Sequence, residues 1–161
     1  MLSCPGALRD LTLPHLLESN NFAVRLLIRM TFKMINPQSL GAPRGYSNGV
    51  LTDGGGKLLF VAGQIGCDQT QRIVSSDFVE QFDQALRNVL AVVSEAGGTP
   101  EQVTRLTIYV TDKSEYVTQA RAIGERYRTY MGKHFPAMAL LEVKGLLDPH
   151  AKVEIEATAV L

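Results

Sequence analysis

Two carboxylates in the last stretch of the chain are the first candidates for chemistry. Between Lys152 and Leu161, Val153, Ile155, Ala157 and Ala159 alternate with Lys152, Glu154, Glu156 and Thr158. Side chains two apart on a strand share a face, so Glu154 and Glu156 project together. A carboxylate held in a pocket can orient or activate a water molecule; a merely solvated strand face is the plainer reading. Gly63-Gln64 closes the apolar run Leu58 to Ala62, and a glycine there allows close approach by a ligand or another chain. Asn88 interrupts the apolar stripe of a helix. If buried it needs partners, and fixing the adjacent loop is its expected role, ligand contact the second. Tyr46, in Arg44-Gly45-Tyr46-Ser47, offers a flat ring and a hydroxyl to a pocket edge.

Other chemistries find little support. Cys67 has no histidine near it in sequence, so an inert thiol is expected. With Cys4 it makes neither a disulfide framework nor a four-cysteine zinc site. His15, His134 and His150 lack the short spacing that sets two ligands on one helix face. No glycine-rich phosphate loop and no Gly-x-Ser-x-Gly elbow occurs.

The elements that must carry these residues follow from patterning. A chain of 161 residues is one ordinary domain, or one domain of about 120 residues plus a tail. Hydrophobic residues at 45% against 20% charged are enough for a core, which excludes disorder by composition. The net charge of zero removes the basic field that grips nucleic acid and leaves little repulsion against self-association. No run of about 18 apolar residues is present to span a membrane. The segment before residue 34 carries Arg9, Arg25, Arg29 and Lys33 against Asp10 and Glu18. Its basic excess suggests a targeting peptide, but the acids, Pro5 and Pro14 speak against one. An over-extended start, with Met30 or Met34 as initiator, is the favoured reading. Residues 1–33 are therefore set apart from a domain at 34–161.

Val50–Thr52 and Lys57–Ala62 flank Asp53-Gly54-Gly55-Gly56 and predict a hairpin. Asp77 and Glu80 form a capping box for a helix whose stripe runs Phe78, Phe82, Ala85, Leu86, Val89, Leu90, Val93 and Ala96, with Gly97-Gly98 as the stop. Thr99-Pro100 opens a short turn of helix, and Val103–Val110 is a strand. Asp112 and Glu115 cap a second helix over 114–131, with Tyr116, Ala120, Ile123, Tyr127 and Tyr130 on one side. Ala139–Val143 and Lys152–Leu161 are the last strands. The order β-β-α-β-α-β-β gives an α+β fold, a mixed sheet with two helices on one face. Such a thin sandwich leaves its other face uncovered, which predicts an oligomer with pockets at the subunit seams.

In order along the chain, Gly45-Tyr46-Ser47-Asn48-Gly49, Val61-Ala62-Gly63-Gln64-Ile65-Gly66, Leu86-Arg87-Asn88-Val89, Phe135-Pro136-Ala137 and Val153-Glu154-Ile155-Glu156-Ala157 resemble the RidA/YjgF family. The family carries the older label L-PSP endoribonuclease, and the likeness covers about residues 36–161. It implies a chorismate-mutase-like two-layer subunit in a cytoplasmic homotrimer with ligand clefts between subunits. The implied activity is hydrolysis of reactive enamines and imines to 2-keto acids and ammonia, with no metal or cofactor. Partners would be a small-molecule substrate and further copies of the chain, not nucleic acid or membrane. By resemblance Glu154 handles the water, and Tyr46, Gly63 and Asn88 line the pocket. The arginine that follows Pro-Ala in the family, a cation for the substrate carboxylate, is replaced by Met138. Met138 and Leu140 imply a more apolar wall and altered 2-imino acid activity. As a substitute cation Arg44 is nearer Tyr46 in sequence than Lys144 is to Met138. A non-catalytic trimer that binds a small molecule in the same cleft is the alternative. RNA cleavage ranks last, without positive charge, stacking platform or histidine pair.

Overall fold

The computed structural model describes residues 31–40, 42–53 and 55–161. The expectations for residues 1–30 lie outside these. Six strands and three helices follow in the order β1 Thr31–Ile35, β2 Gly49–Asp53, β3 Leu58–Ile65, α1 Phe78–Glu95, β4 Val103–Val110, α2 Lys113–Thr118, α3 Ala120–Met131, β5 Ala137–Glu142 and β6 Val153–Val160. β1 runs across the expected boundary between residues 33 and 34.

The four-stranded sheet has the order β3-β6-β4-β5. β6 lies antiparallel to both neighbours, while β4 and β5 are parallel, so the α+β fold has a mixed sheet. β6 sets its polarity. Val153, Ile155, Ala157 and Ala159 are buried, and Glu154, Glu156 and Thr158 between them are not. On β4, Leu106, Ile108 and Val110 are buried on the same side. α1 and α3 cover that side, and Phe78, Phe82, Leu86, Val89, Ile123 and Met131 join it in one core.

α1 follows the expected signals. The Asp77 carboxylate accepts from the Glu80 amide at 2.9 Å. Gly97, at φ +83°, ends the helix, and the Gly98 N–H donates to the Val93 carbonyl. The stripe ends sooner than expected, since Ala96 is exposed at the cap.

Three expectations need correction. β2 and β3 are not a hairpin: β2 pairs with β1, and β3 with β6. The glycine-rich link does not fix a register. Beside β6, by contrast, Val61 joins the core, and Lys57 and Leu161 exchange two backbone hydrogen bonds of 2.8 Å. The expected helix 114–131 is bent into α2 and α3 at Gln119. The Thr118 hydroxyl donates back to the Ser114 and Glu115 carbonyls, a contact that bends helices. Gln119 joins the two pieces, its N–H donating to the Glu115 carbonyl and its carbonyl accepting from the Ile123 N–H. β5 begins at Ala137, two residues before the expected start, through its pairing with Arg105.

A buried glutamine ties the loops at one end of the sheet. Gln81 has no exposure; its Nε2 donates to the Ser75 and His150 carbonyls, and its Oε1 accepts from the Lys152 N–H. Gln81→Leu would leave these three backbone groups unpaired at similar side-chain volume. A loss of more than about 2 kcal/mol is expected in urea unfolding. Gln81→Glu, which can satisfy only the donor at residue 152, is also expected to destabilise.

Candidate functional site

Glu154 occupies the second position of β6 on the uncovered face. Its register partners are Tyr109 on β4 and Ile65 on β3. β3 is irregular between Val61 and Gln64, and Gly63 lies in that irregularity. The Glu154 side chain fills the space a larger residue would take at 63. A Cβ there would stand 2.6 Å from the Glu154 carboxyl carbon and 2.9 Å from Cγ. Glycine is therefore required for this rotamer, and the close approach expected of Gly63 is made by the carboxylate itself.

Asn88 supports the same corner from α1. Its Nδ2 donates to the Ile65 carbonyl at 3.0 Å and the Cys67 carbonyl at 2.9 Å, and its Oδ1 accepts from Gln84 Nε2 at 2.8 Å. Both amide protons are thus spent on the chain leaving β3. Gly63, Gln64, Asn88 and the loop through Asp68 line a cavity of about 500 Å³. Cys67 is buried at its wall.

The Asp68 loop is held by its own carboxylate, which accepts from the Thr70 hydroxyl and from the Thr70 and Arg72 amides. These bonds, the hydroxyl first, hold the Asp68 carboxyl below its ordinary range. Because the folded value is depressed, the contribution to loop stability is complete above the unfolded value. It fades as pH falls through the folded one. Protection of the Thr70 and Arg72 amides from exchange, relative to their intrinsic rates at each pH, should therefore be full at neutral pH and fall in acid. Asp68→Asn should remove that pH dependence.

Glu156 faces the same way as Glu154 and accepts from the Tyr109 hydroxyl at 3.1 Å. That bond is the main cause holding the Tyr109 phenol above its usual range.

The remaining predicted residues lie at the other edge of the sheet. Ser47 donates from its backbone to the Pro136 carbonyl at 3.0 Å and from its hydroxyl to the Phe135 carbonyl at 2.7 Å, forming a bridge to Ala137. Tyr46 is thereby held over the start of β5, with 41% of its surface exposed. Tyr46, Ser47, Asn48, Arg105, Ala137, Met138 and Ala139 line a cavity of about 280 Å³. Met138 also packs against the core, and its register partner is the buried Leu106. Leu140, paired with Ile108, follows the parity of Met138 but does not line the cavity.

Within one chain the predicted residues thus form two groups. Glu154, Gly63 and Asn88 gather at the β3 edge, and Tyr46 and Met138 at the β5 edge. Glu154 itself lies on β6, two strand spacings or about 10 Å from β5, and the register through Tyr109 and Leu141 sets it three residues, about 10 Å, along the strands from Met138. Of the two cations weighed from sequence, Arg44 is exposed and absent from the Tyr46 cavity. Lys144 lines a separate cavity near His150 and Lys152. Sequence reasoning missed Arg105. Its place opposite Ala137 appears only when the parallel register of β4 and β5 is known. Among the described residues no cluster of three metal-ligating side chains occurs, and no helix is long and apolar enough to cross a membrane.

The contact between Gly63 and Glu154 can be checked directly. Gly63→Ala should leave the fold intact, because the displaced atoms are the end of a flexible side chain. A crystal structure of the variant should show the Glu154 carboxylate in another rotamer, off β3.

The family model described as Endoribonuclease L-PSP matches residues 37–161. The chain is similar to the human 2-iminobutanoate/2-iminopropanoate deaminase, with 32% identity over 121 residues, 74% of this chain and 82% of that protein. It is 34% identical over 105 residues to a RutC family protein of Pyrococcus abyssi, 65% of this chain and 79% of the other. Among solved structures, the Rid family protein YyfB of Yersinia pestis superposes with a TM-score of 0.73 at 33% identity, covering 81% of this chain and 98% of that one. The YjgF gene product of E. coli gives 0.56 at 30% identity, with 80% and 94% covered. Motif order, sheet topology and these likenesses agree, and the chain belongs to the RidA/YjgF family, the Endoribonuclease L-PSP family of the matching model.

Proposed function

We propose that this chain is a hydrolytic deaminase of reactive enamine and imine metabolites, with its activity on 2-imino acids altered by Met138. The observation that carries the reading is the Glu154 carboxylate laid over Gly63 on the uncovered face of the sheet. The human relative named above, a 2-iminobutanoate/2-iminopropanoate deaminase, supports the same class. The domain would be residues 34–161, with residues 1–33 an extension, and the reaction would need no metal or cofactor.

The working unit is a homotrimer. Glu154 and the Tyr46 group are separated both across and along one sheet, too far apart for one small ligand. Head-to-tail contacts that join one edge to the other close into a ring. A three-membered ring forms three clefts, each with Glu154, Gly63 and the Asn88-supported loop from one copy. Tyr46 and Met138 come from the next, whereas Leu140 shares a sheet face with the buried Ile108.

In such a cleft an enamine takes a proton from solvent at carbon to become the iminium ion, which an imine reaches by taking one at nitrogen. Water then adds to the imine carbon while Glu154 takes a proton from the water. Glu154 returns that proton to nitrogen, and the carbon–nitrogen bond breaks as the new hydroxyl gives its proton to solvent, leaving ketone and ammonia. The net change consumes one water per imine. Tyr46 orients the substrate through its ring and hydroxyl. Asn88 acts through the loop it holds.

The test generates 2-iminobutanoate enzymatically and follows semicarbazone formation. Wild type should hasten disappearance of the imine, and Glu154→Gln should lower its rate constant by about 100-fold or more. Light scattering should give about three times the mass of one chain. Activity unchanged in Glu154→Gln would remove Glu154 from the mechanism. A second reading, a non-catalytic trimer that binds a small molecule in the same cleft, is favoured by one observation, the uncharged Met138. A wild type no faster than buffer, with Met138→Arg active, would establish that reading instead.

A further inference from the structure

We infer that Arg105 is the anion anchor of this site, supplying from β4 the guanidinium that position 138 lacks and thereby selecting carboxylate-bearing substrates. The inference rests on the deaminase reading for the identity of the cleft, but not for its test.

Arg105 is exposed on the uncovered face of β4. Its register partner on β5 is Ala137, the residue between Pro136 and Met138, and its partner on β6 is Thr158. Both partners are small, and the Arg105 side chain is exposed. It lines the cavity of Tyr46, Ser47, Met138 and Ala139. It also lines a second cavity of about 280 Å³ with Phe60, Thr107 and Glu156. Arg105 therefore stands between the Tyr46 wall and the carboxylate side of the same face.

The charges around it leave it available. Among the described residues no carboxylate oxygen lies within 4.0 Å of the guanidinium, the ion pairs being formed by Lys113, Arg121, Arg126 and Lys152. The nearest acid along the face, Glu156, accepts from Tyr109, the next outward residue but one on β4. A planar, permanently charged fork suits bidentate recognition of a carboxylate. Met138 then supplies an apolar wall for the aliphatic end of the ligand.

A 2-keto acid carries the carboxylate without the reacting nitrogen, so binding can be read apart from turnover. Titration calorimetry on the full-length protein would use 2-oxobutanoate, with 2-butanone as the probe lacking a carboxylate. Wild type should bind 2-oxobutanoate more tightly than 2-butanone. Arg105→Gln should weaken 2-oxobutanoate about 10- to 100-fold and leave 2-butanone unchanged. Arg105→Lys should retain part of the affinity. Met138→Arg in the Arg105→Gln background should restore it, because the charge returns to the other wall of the same cavity.

Equal affinity for the two probes in wild type, or unchanged 2-oxobutanoate binding in Arg105→Gln, would overturn the assignment. So would dissociation of the oligomer in Arg105→Gln, which would make Arg105 an intersubunit contact. Each of these results is compatible with active imine hydrolysis by wild type. Conversely, carboxylate selectivity lost in Arg105→Gln but with no hydrolysis would retain the anchor and discard the enzyme.

Discussion

One constraint governs the molecule: among the described residues, the long helices lie on the same side of a four-stranded sheet. β6 makes the division explicit. Its odd-numbered residues from Val153 to Ala159 are buried in the core, and its even-numbered residues include two glutamates. The uncovered face is left with charged and polar groups at its centre, Arg105, Thr107, Tyr109, Glu154 and Glu156, and with apolar groups toward its edges. Leu58 and Phe60 are 61% and 74% exposed on β3, and Leu141 is 45% exposed on β5. Burial of such side chains is the main drive for association. The arrangement suits a protein whose chemistry is completed by its neighbours.

Much of this was legible in the sequence because the signals are local. The spacing from Phe78 to Val93, capped by Asp77 and ended by Gly97, specifies a helix without reference to anything distant. The alternation in β6 assigned Glu154 and Glu156 to one face before any partner strand was known. The failures all concern long-range pairing or a single side chain. The glycine link after Asp53 has the composition of a turn, yet its two flanking strands find different partners. Gln81 looks like an ordinary helix residue, and only its three distant backbone partners reveal it as a tie. Arg105 is one polar position in an otherwise β-branched and apolar strand. Its value depends on β5 lying parallel beside it, a fact that no local pattern encodes.

The two halves of the proposed site are held by different means. Gly63 and Glu154 are matched by shape, through an atom that is missing at one position and a carboxyl group that fills the gap. Asn88 adds stiffness by engaging the chain just beyond β3. On the other side, Tyr46 depends on Ser47 and the two carbonyls it engages, since the ring itself is substantially exposed.

That attachment at Ser47 has a mechanical consequence. The backbone that carries Tyr46 and the floor of β5 are joined through the bonds of Ser47 to Phe135 and Pro136, so these two segments shift together. A ligand tugging on the aromatic lid would drag the strand along with it, and the wall would yield as a single slab instead of as a flap closing over a fixed base.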